Sequence, residues 1–233
     1  MQPLDPQPDL IVFDLDDTLC DYASARWLRL RIAFDRAIGL LPRRPPIDLD
    51  QLAAESIAMH PHGVDHFDEL LGRYGVSSRE GIASAKEWYR VNRFHGLRLF
   101  DDALETLSFI RSAMPERRVG MITNGPAETQ QAKIDLLGIR AYFDFIVVSG
   151  EFGVAKPEKP IFDEALRLGD ATPDRAIHIG DSAEFDIAGA RNAGVTAIWM
   201  NHSGAAWPLP APPPDHQVRS LTEVRRLLAA DHE

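Results

Sequence analysis

Short apolar runs that end in polar residues recur along the chain. Residues 10–13 run into Asp14, and residues 118–122 run into Thr123. The same order appears three more times, at residues 145–148, 176–179 and 196–200. Apolar runs of four or five residues with polar ends are typical of strands buried on both faces. The pattern predicts five such strands, each delivering polar side chains at its carboxyl end.

Helical periodicity separates these predicted strands. Apolar side chains stand three and four positions apart within residues 102–114, 127–137, 159–168 and 183–193. Alternation of strand and helix is typical of a parallel sheet with helices on both faces. We therefore predict an α/β fold, a doubly wound parallel sheet with a Rossmann-like core. Ligands of such sheets bind beyond the carboxyl ends of the strands, where the polar residues would converge.

One connection is too long to be a simple crossover. About a dozen residues suffice for a crossover, whereas residues 21–95 separate the first strand from the helix before the second. Helical patterns fill this stretch, at residues 24–38, 49–58, 63–74 and 79–93. We predict a helical cap at residues 21–95, inserted over the active edge of the sheet, and a catalytic core of residues 1–20 and 96–233. A proline-rich connector from Trp207 and an amphipathic helix at residues 221–230 complete the predicted elements.

Composition and charge narrow the class of protein. Of the 233 residues, 35 are acidic and 25 are basic, so the formal charge is -10, and no basic stripe interrupts it. Nucleic acid is therefore not an expected partner, because duplex binding depends on neutralising phosphates. The apolar runs are too short to span a bilayer, and the single cysteine, Cys20, cannot form an intrachain disulfide. We predict a cytoplasmic protein with no membrane partner, and the oligomeric state stays open.

Two carboxylates follow the first predicted strand. Asp14 and Asp16 stand two residues apart, where the chain leaves the sheet and can turn both side chains into one pocket. One carboxylate can attack phosphorus in line, while the other protonates the leaving alkoxide and later takes a proton from water. An anionic nucleophile needs a cation beside it to approach an anionic phosphate. We therefore expect Mg²⁺, with Asp181 and Asp186 as further acidic ligands.

A lysine followed by proline, and two hydroxyl groups at the ends of neighbouring predicted strands, are further candidates for the site. Lys156 would neutralise the nucleophile and hold the transferred phosphoryl group. Two hydroxyls and three backbone amides could cradle the equatorial oxygens of that group. They are the hydroxyls of Thr123 and Ser182 and the amides of Leu15, Asp16 and Asn124.

Four segments of the chain resemble, in order, the four motifs of the haloacid dehalogenase-like superfamily. They are residues 14–18, 123–125, 156–157 and 180–186. The resemblance implies that Asp14 is the nucleophile and a magnesium ligand, and that Asp16 is the acid–base group and ligates through its carbonyl. It makes Asp181 the third protein ligand and places Asp186 just outside the ligands. The family often has a small polar residue before that last aspartate, where this chain has Phe185.

Three alternatives share part of this chemistry. A phosphomutase would pass the phosphoryl group from aspartate to a second hydroxyl if the cap excluded water. A haloacid dehalogenase needs neither metal nor proton donor, so Asp16 and Asp181 disfavour it. A phospho-accepting signalling domain needs no acid–base group two residues from its nucleophile, and Asp16 again disfavours it. We predict a magnesium-dependent phosphomonoesterase that acts on a small phosphorylated metabolite through an aspartyl-phosphate intermediate. Nucleoside monophosphates, sugar phosphates and phosphoglycolate-like acids all remain candidate substrates.

Overall fold

A computed structural model describes residue 4 and residues 6–41, 46–59, 63–214 and 216–229. The chain divides into two compact units: Met1–Asp21 with Leu99–Glu233, and Tyr22–Arg98. Their roles as a catalytic core and a cap are proposals. Among the described helices, none has both the length and the apolar character needed to cross a membrane.

In the part of the first unit that the structure describes, six strands form one sheet: β1 (Leu10–Phe13), β2 (Arg118–Thr123), β3 (Phe145–Val148), β4 (Ala176–Gly180), β5 (Thr196–Met200) and β6 (His216–Val218). All pair in parallel, in the order β3-β2-β1-β4-β5-β6. Phe13 at the end of β1 pairs with Met121 of β2 and with Ile179 of β4. The three strands therefore end at the same edge of the sheet, and the predicted parallel α/β fold is confirmed.

Within residues 22–41, 46–59 and 63–98, the second unit forms four helices: α1 (Tyr22–Gly39), α2 (Leu49–Met59), α3 (Phe67–Arg73) and α4 (Arg79–Val91). Buried residues from all four helices form one apolar cluster, in which the Phe34 and Phe67 ring centroids lie 4.7 Å apart. Ser78 caps α4, because its side chain accepts from the Gly81 N–H at 3.0 Å. The helix predicted from residue 63 begins only at Phe67, since Gly63 has a φ of +92°, outside the helical region.

The described residues of the first unit also form six α-helices and one π-helical segment, Ala183–Ala188. The helices are α5 (Ala103–Ala113), α6 (Ala127–Leu136), α7 (Ser149–Phe152), α8 (Lys159–Gly169), α9 (Gly189–Asn192) and α10 (Leu221–Leu228). Helix α8 buries Phe162 in the same apolar cluster as Val12 and Ile122 of the sheet. Gly189 lets α9 approach it, because a Cβ there would lie 2.7 Å from the Phe162 ring. Helix α8 therefore packs against both the sheet and α9.

The proline-rich segment packs on the first unit. The Trp207 ring centroid lies 5.0 Å from that of Trp199, and Arg191 Nη1 donates to the Pro212 carbonyl at 2.9 Å. Strand β6 follows and was not predicted, because three residues with two polar side chains carry no apolar run. The predicted helix after it is present as α10, and its last predicted residue, Ala230, lies outside the described residues.

Candidate active site

One buried ammonium joins the carboxylate that follows β1 to a carboxylate of the π-helical segment after β4. Lys156 Nζ donates to Asp14 Oδ1 at 2.5 Å, to Asp186 Oδ1 at 2.6 Å and to the Ile122 carbonyl at 3.1 Å. Asp14 is the first residue after β1, and its N–H donates to the Ile179 carbonyl at 2.9 Å. Asp14, Lys156 and Asp186 are all buried. Charge-assisted hydrogen bonds of this kind are stronger than neutral ones, so they fix the position of the ammonium.

The three charges shift one another's protonation. Burial raises the pKa of Asp14 to about 7, against the opposing effect of Lys156. Burial alone would also raise the pKa of Asp186, but Lys156 and His178 outweigh it and hold that pKa below its ordinary value. Burial would lower the pKa of Lys156, but the two carboxylates hold it above its ordinary value. Lys156 therefore stays a cation. Of the two carboxylates that it contacts, Asp14 is the one whose pKa is raised by burial.

Three carboxylates meet at this edge of the sheet. Single oxygens of Asp14, Asp181 and Asp186 all lie within 4.8 Å of one another. Burial raises the pKa of Asp181 to about 9, and the charges of Asp14 and Asp186 add to the rise. Lys156 supplies one positive charge against three carboxylates, and carboxylate oxygens are the ligands that hard divalent cations prefer. The close approach of these oxygens and the raised pKa values of the Asp14 and Asp181 carboxyl groups fit a bound divalent cation.

Asp186 is held on both of its oxygens. His178 Nε2 lies 2.9 Å from Asp186 Oδ1, which also accepts from Lys156, and the Ser182 N–H donates to Asp186 Oδ2 at 3.0 Å. Gly180 leaves room for the carboxylate, since a Cβ at Gly180 would overlap it. His178 lies inside an apolar strand, where a histidine is usually a core residue, so no sequence pattern placed it beside the site. These contacts suit Asp186 to orienting Lys156 more than to binding a cation directly.

Asn124 connects the end of β2 to Lys156. Its Nδ2 donates to the Lys156 carbonyl at 2.9 Å, and its Oδ1 accepts from the Lys156 N–H at 2.9 Å. This pair of bonds holds the backbone from which the Lys156 side chain extends. The sequence predicted a role for the backbone amide of Asn124, and the structure adds one for its side chain.

Asp16 turns toward α6. Lys133 Nζ donates to Asp16 Oδ1 at 2.9 Å and to Oδ2 at 2.6 Å, and Gln130 Nε2 lies 3.2 Å from Oδ2. Gln130 Nε2 also donates to Thr123 Oγ1 at 2.5 Å. Sequence reasoning missed Gln130 and Lys133. Their three-residue spacing on a helix that follows the second motif-like segment was the available signal.

The remaining predicted residues lie in the turns beside these groups. Leu15 is buried, and its carbonyl accepts from the backbone N–H groups of Leu19 and Cys20, which closes the turn after β1. Asp17 in this turn has a φ of +58°, a left-handed conformation that aspartate tolerates. Ser182 Oγ accepts from the Phe185 N–H at 3.1 Å and so begins the π-helical segment. The structure thus gathers the predicted residues at the ends of β1, β2 and β4.

Residues 8–194 match the sequence profile of the haloacid dehalogenase-like hydrolase family. Pyrimidine 5'-nucleotidase YjjG of Escherichia coli is 40% identical over 123 residues, which are 52% of this chain and 54% of that protein. Mouse N-acylneuraminate-9-phosphatase is 30% identical over 94% of this chain and 92% of its own length. Among solved structures, the HAD hydrolase YfnB of Bacillus subtilis, bound to magnesium, has a TM-score of 0.74 at 25% identity, over 95% of this chain and 99% of that one.

Proposed function

Because the chain belongs to the haloacid dehalogenase-like hydrolase family, we propose that it is a magnesium-dependent phosphomonoesterase that forms an aspartyl-phosphate intermediate. The observation that carries the proposal is the buried contact of Lys156 with Asp14, 2.5 Å long, beside two further carboxylates. A nucleotidase and a sugar-acid phosphatase among the relatives support phosphate ester hydrolysis. The substrate we propose is a small phosphorylated metabolite.

In the first step, a carboxylate oxygen of Asp14 attacks phosphorus and the bond from phosphorus to the ester oxygen breaks. Asp16 gives a proton to the departing oxygen. Lys156 offsets the negative charge of Asp14 and can donate to the phosphoryl oxygens. The Thr123 hydroxyl and the amides of the turn after β1 are the other donors proposed for those oxygens.

In the second step, water attacks the phosphorus of the aspartyl-phosphate. Asp16 takes the proton from that water, phosphate leaves, and the Asp14 carboxylate is restored. One carboxylate thus acts as acid and then as base. The same intermediate would serve a phosphomutase if a second hydroxyl replaced water, so product analysis decides between the two reactions.

Asp14 and Asp181 are the side chains proposed to hold Mg²⁺, together with the Asp16 carbonyl. A bound Mg²⁺ would reduce the repulsion between the carboxylates and the incoming phosphate dianion. Asp186 is proposed to act outside the ligands, because Lys156, His178 and the Ser182 N–H already occupy its oxygens. The magnesium bound to YfnB supports the choice of metal.

A phosphate-release screen tests the proposal. Purified protein with Mg²⁺ is incubated with nucleoside monophosphates, sugar phosphates and phosphoglycolate-like acids, and inorganic phosphate is measured. Release from at least one class, and none from the same panel with Asp14→Asn, is the expected result. Absence of release from every class, with fluoride or chloride release from a haloacid, would instead identify a dehalogenase.

A further inference from the structure

Lys133 is a buried cation outside the four motif-like segments. It lies on α6, its side chain is 5% exposed, and its Nζ contacts both carboxylate oxygens of Asp16. Burying an ammonium is unfavourable unless it is paired and hydrogen-bonded. One partner of this ammonium is the Asp16 carboxylate, which is proposed above as the acid–base group and whose side chain is 24% exposed.

Gln130 supports the same carboxylate from one turn earlier on α6. Residues three apart on a helix share a face, so Gln130 and Lys133 approach Asp16 from one side. The Gln130 amide lies 3.2 Å from Asp16 Oδ2 and 2.5 Å from Thr123 Oγ1. Helix α6 thereby ties Asp16 to the end of β2 through neutral as well as charged contacts.

We propose that Lys133 and Gln130 are positioning residues that fix the direction of the Asp16 carboxylate for proton transfer. The inference rests on the proposed function. Proton transfer requires the acid to lie within hydrogen-bond reach of the leaving oxygen. A carboxylate held at both oxygens keeps one orientation, whereas a carboxylate without these contacts rotates and spends less time in reach. Lys133 acts in this account through Asp16 and not on the phosphoryl group.

Lys133→Met tests the proposal, because methionine keeps most of the buried side chain and removes the ammonium. The measurement is kcat/KM for an alkyl phosphate substrate and for p-nitrophenyl phosphate, both with Mg²⁺. An alkoxide needs a proton to leave and a nitrophenolate does not. We expect kcat/KM to fall about tenfold for the alkyl phosphate and less than about twofold for p-nitrophenyl phosphate. Equal losses on the two substrates would overturn the proposal, since a general structural role affects both.

A double variant adds a second readout. If Lys133 acts only through Asp16, Lys133→Met should lower kcat/KM for the alkyl phosphate by less than about twofold in the Asp16→Asn background. A full further tenfold loss there would overturn the proposal. Lys159→Met is the matched control, because Lys159 forms an exposed ion pair with Asp163 on α8, and both substrates should keep their kcat/KM.

A variant that does not fold and a wild-type protein without activity lead to different conclusions. If Lys133→Met does not fold, Gln130→Leu carries the same comparison, with a loss of about threefold expected on the alkyl phosphate alone and equal losses again overturning the proposal. If the wild-type protein releases no phosphate from either substrate, the proposed function itself fails. An active wild type with unselective variants refutes the positioning role only.

Discussion

The two units of the chain bury their cations in opposite ways. In the first unit, Lys156 is paired with two buried carboxylates at 2.5 and 2.6 Å. In the second unit, Arg29 is 2% exposed, and its Nε and Nη1 lack a hydrogen-bond partner among the residues described. Its guanidinium carbon lies 5.3 Å from the Tyr22 ring centroid and 5.7 Å from that of Tyr89. One cation is held by charges and the other by aromatic faces.

The two buried cations have different effects on the groups around them. Removing Lys156 would leave Asp14 and Asp186 close together without their cation, and breaking a buried pair in this way is strongly destabilising. Removing the Arg29 guanidinium leaves no carboxylate uncompensated in the part of the structure that is described. The first unit therefore maintains a charged arrangement that the proposed reaction requires, whereas Arg29 contributes chiefly to packing.

Asp14→Asn is expected to have the largest effect, and it tests whether the reaction takes place in the first unit. Asp14→Asn replaces the proposed nucleophile by a neutral amide of similar shape, which cannot attack phosphorus. We expect kcat to fall by at least about 10³-fold while circular dichroism stays unchanged. Asp163→Asn, an exposed aspartate on α8, is the control. A variant retaining a tenth of wild-type kcat would refute Asp14 as the nucleophile.

Treatment with a chelator is expected to cause the second largest loss of activity. A chelator should lower phosphate release by at least about 10²-fold, and added Mg²⁺ should restore it, because three carboxylates otherwise repel the phosphate dianion. Isothermal titration calorimetry with Mg²⁺ gives a readout independent of turnover, and binding should weaken in Asp181→Asn. Full activity in the chelator would favour a metal-free reaction and break the link between the carboxylate cluster and catalysis.

The fold was largely readable from the sequence because its strands are buried on both faces. Residues such as Leu10, Ile122 and Ile179 form continuous apolar runs that end in polar residues, and this order marks both strand and site. Strand β6 could not be read in the same way. His216 and Gln217 are polar, and their strand conformation comes from pairing with β5, a tertiary interaction.

The candidate site was readable only in part. Asp14 and Asp181 follow apolar runs, so the parallel topology brings them to one edge. Lys156 lies eight residues beyond the apolar run at residues 145–148, so its place at that edge depends on the intervening chain. Lys133 has no such signal, because a lysine on a helix is usually solvated. Its burial depends on a contact with Asp16, 117 residues away in the sequence. Contacts of this range follow from packing and cannot be obtained from local periodicity.

Lys156→Met tests whether the buried carboxylates depend on their cation. It leaves Asp14 and Asp186 buried without an ammonium between them, so we expect the free energy of unfolding to fall by about 3–5 kcal/mol. The measurement is urea unfolding in the presence of a chelator, which removes any contribution from bound metal. A loss below about 1 kcal/mol would show that the carboxylates adapt by taking up protons, and the contrast with Arg29 would disappear.

Arg29→Met is expected to have the smallest effect. The variant loses attraction to two aromatic rings, worth roughly 0.5–2 kcal/mol, but it also loses the cost of burying a guanidinium without hydrogen bonds at Nε and Nη1. Methionine fills similar space and makes favourable contacts between its sulfur and the Tyr22 and Tyr89 rings. These terms oppose one another, so the free energy of unfolding should change by less than about 1 kcal/mol in the same urea experiment. A loss as large as that of Lys156→Met would mean that aromatic faces hold a buried cation as firmly as carboxylates do.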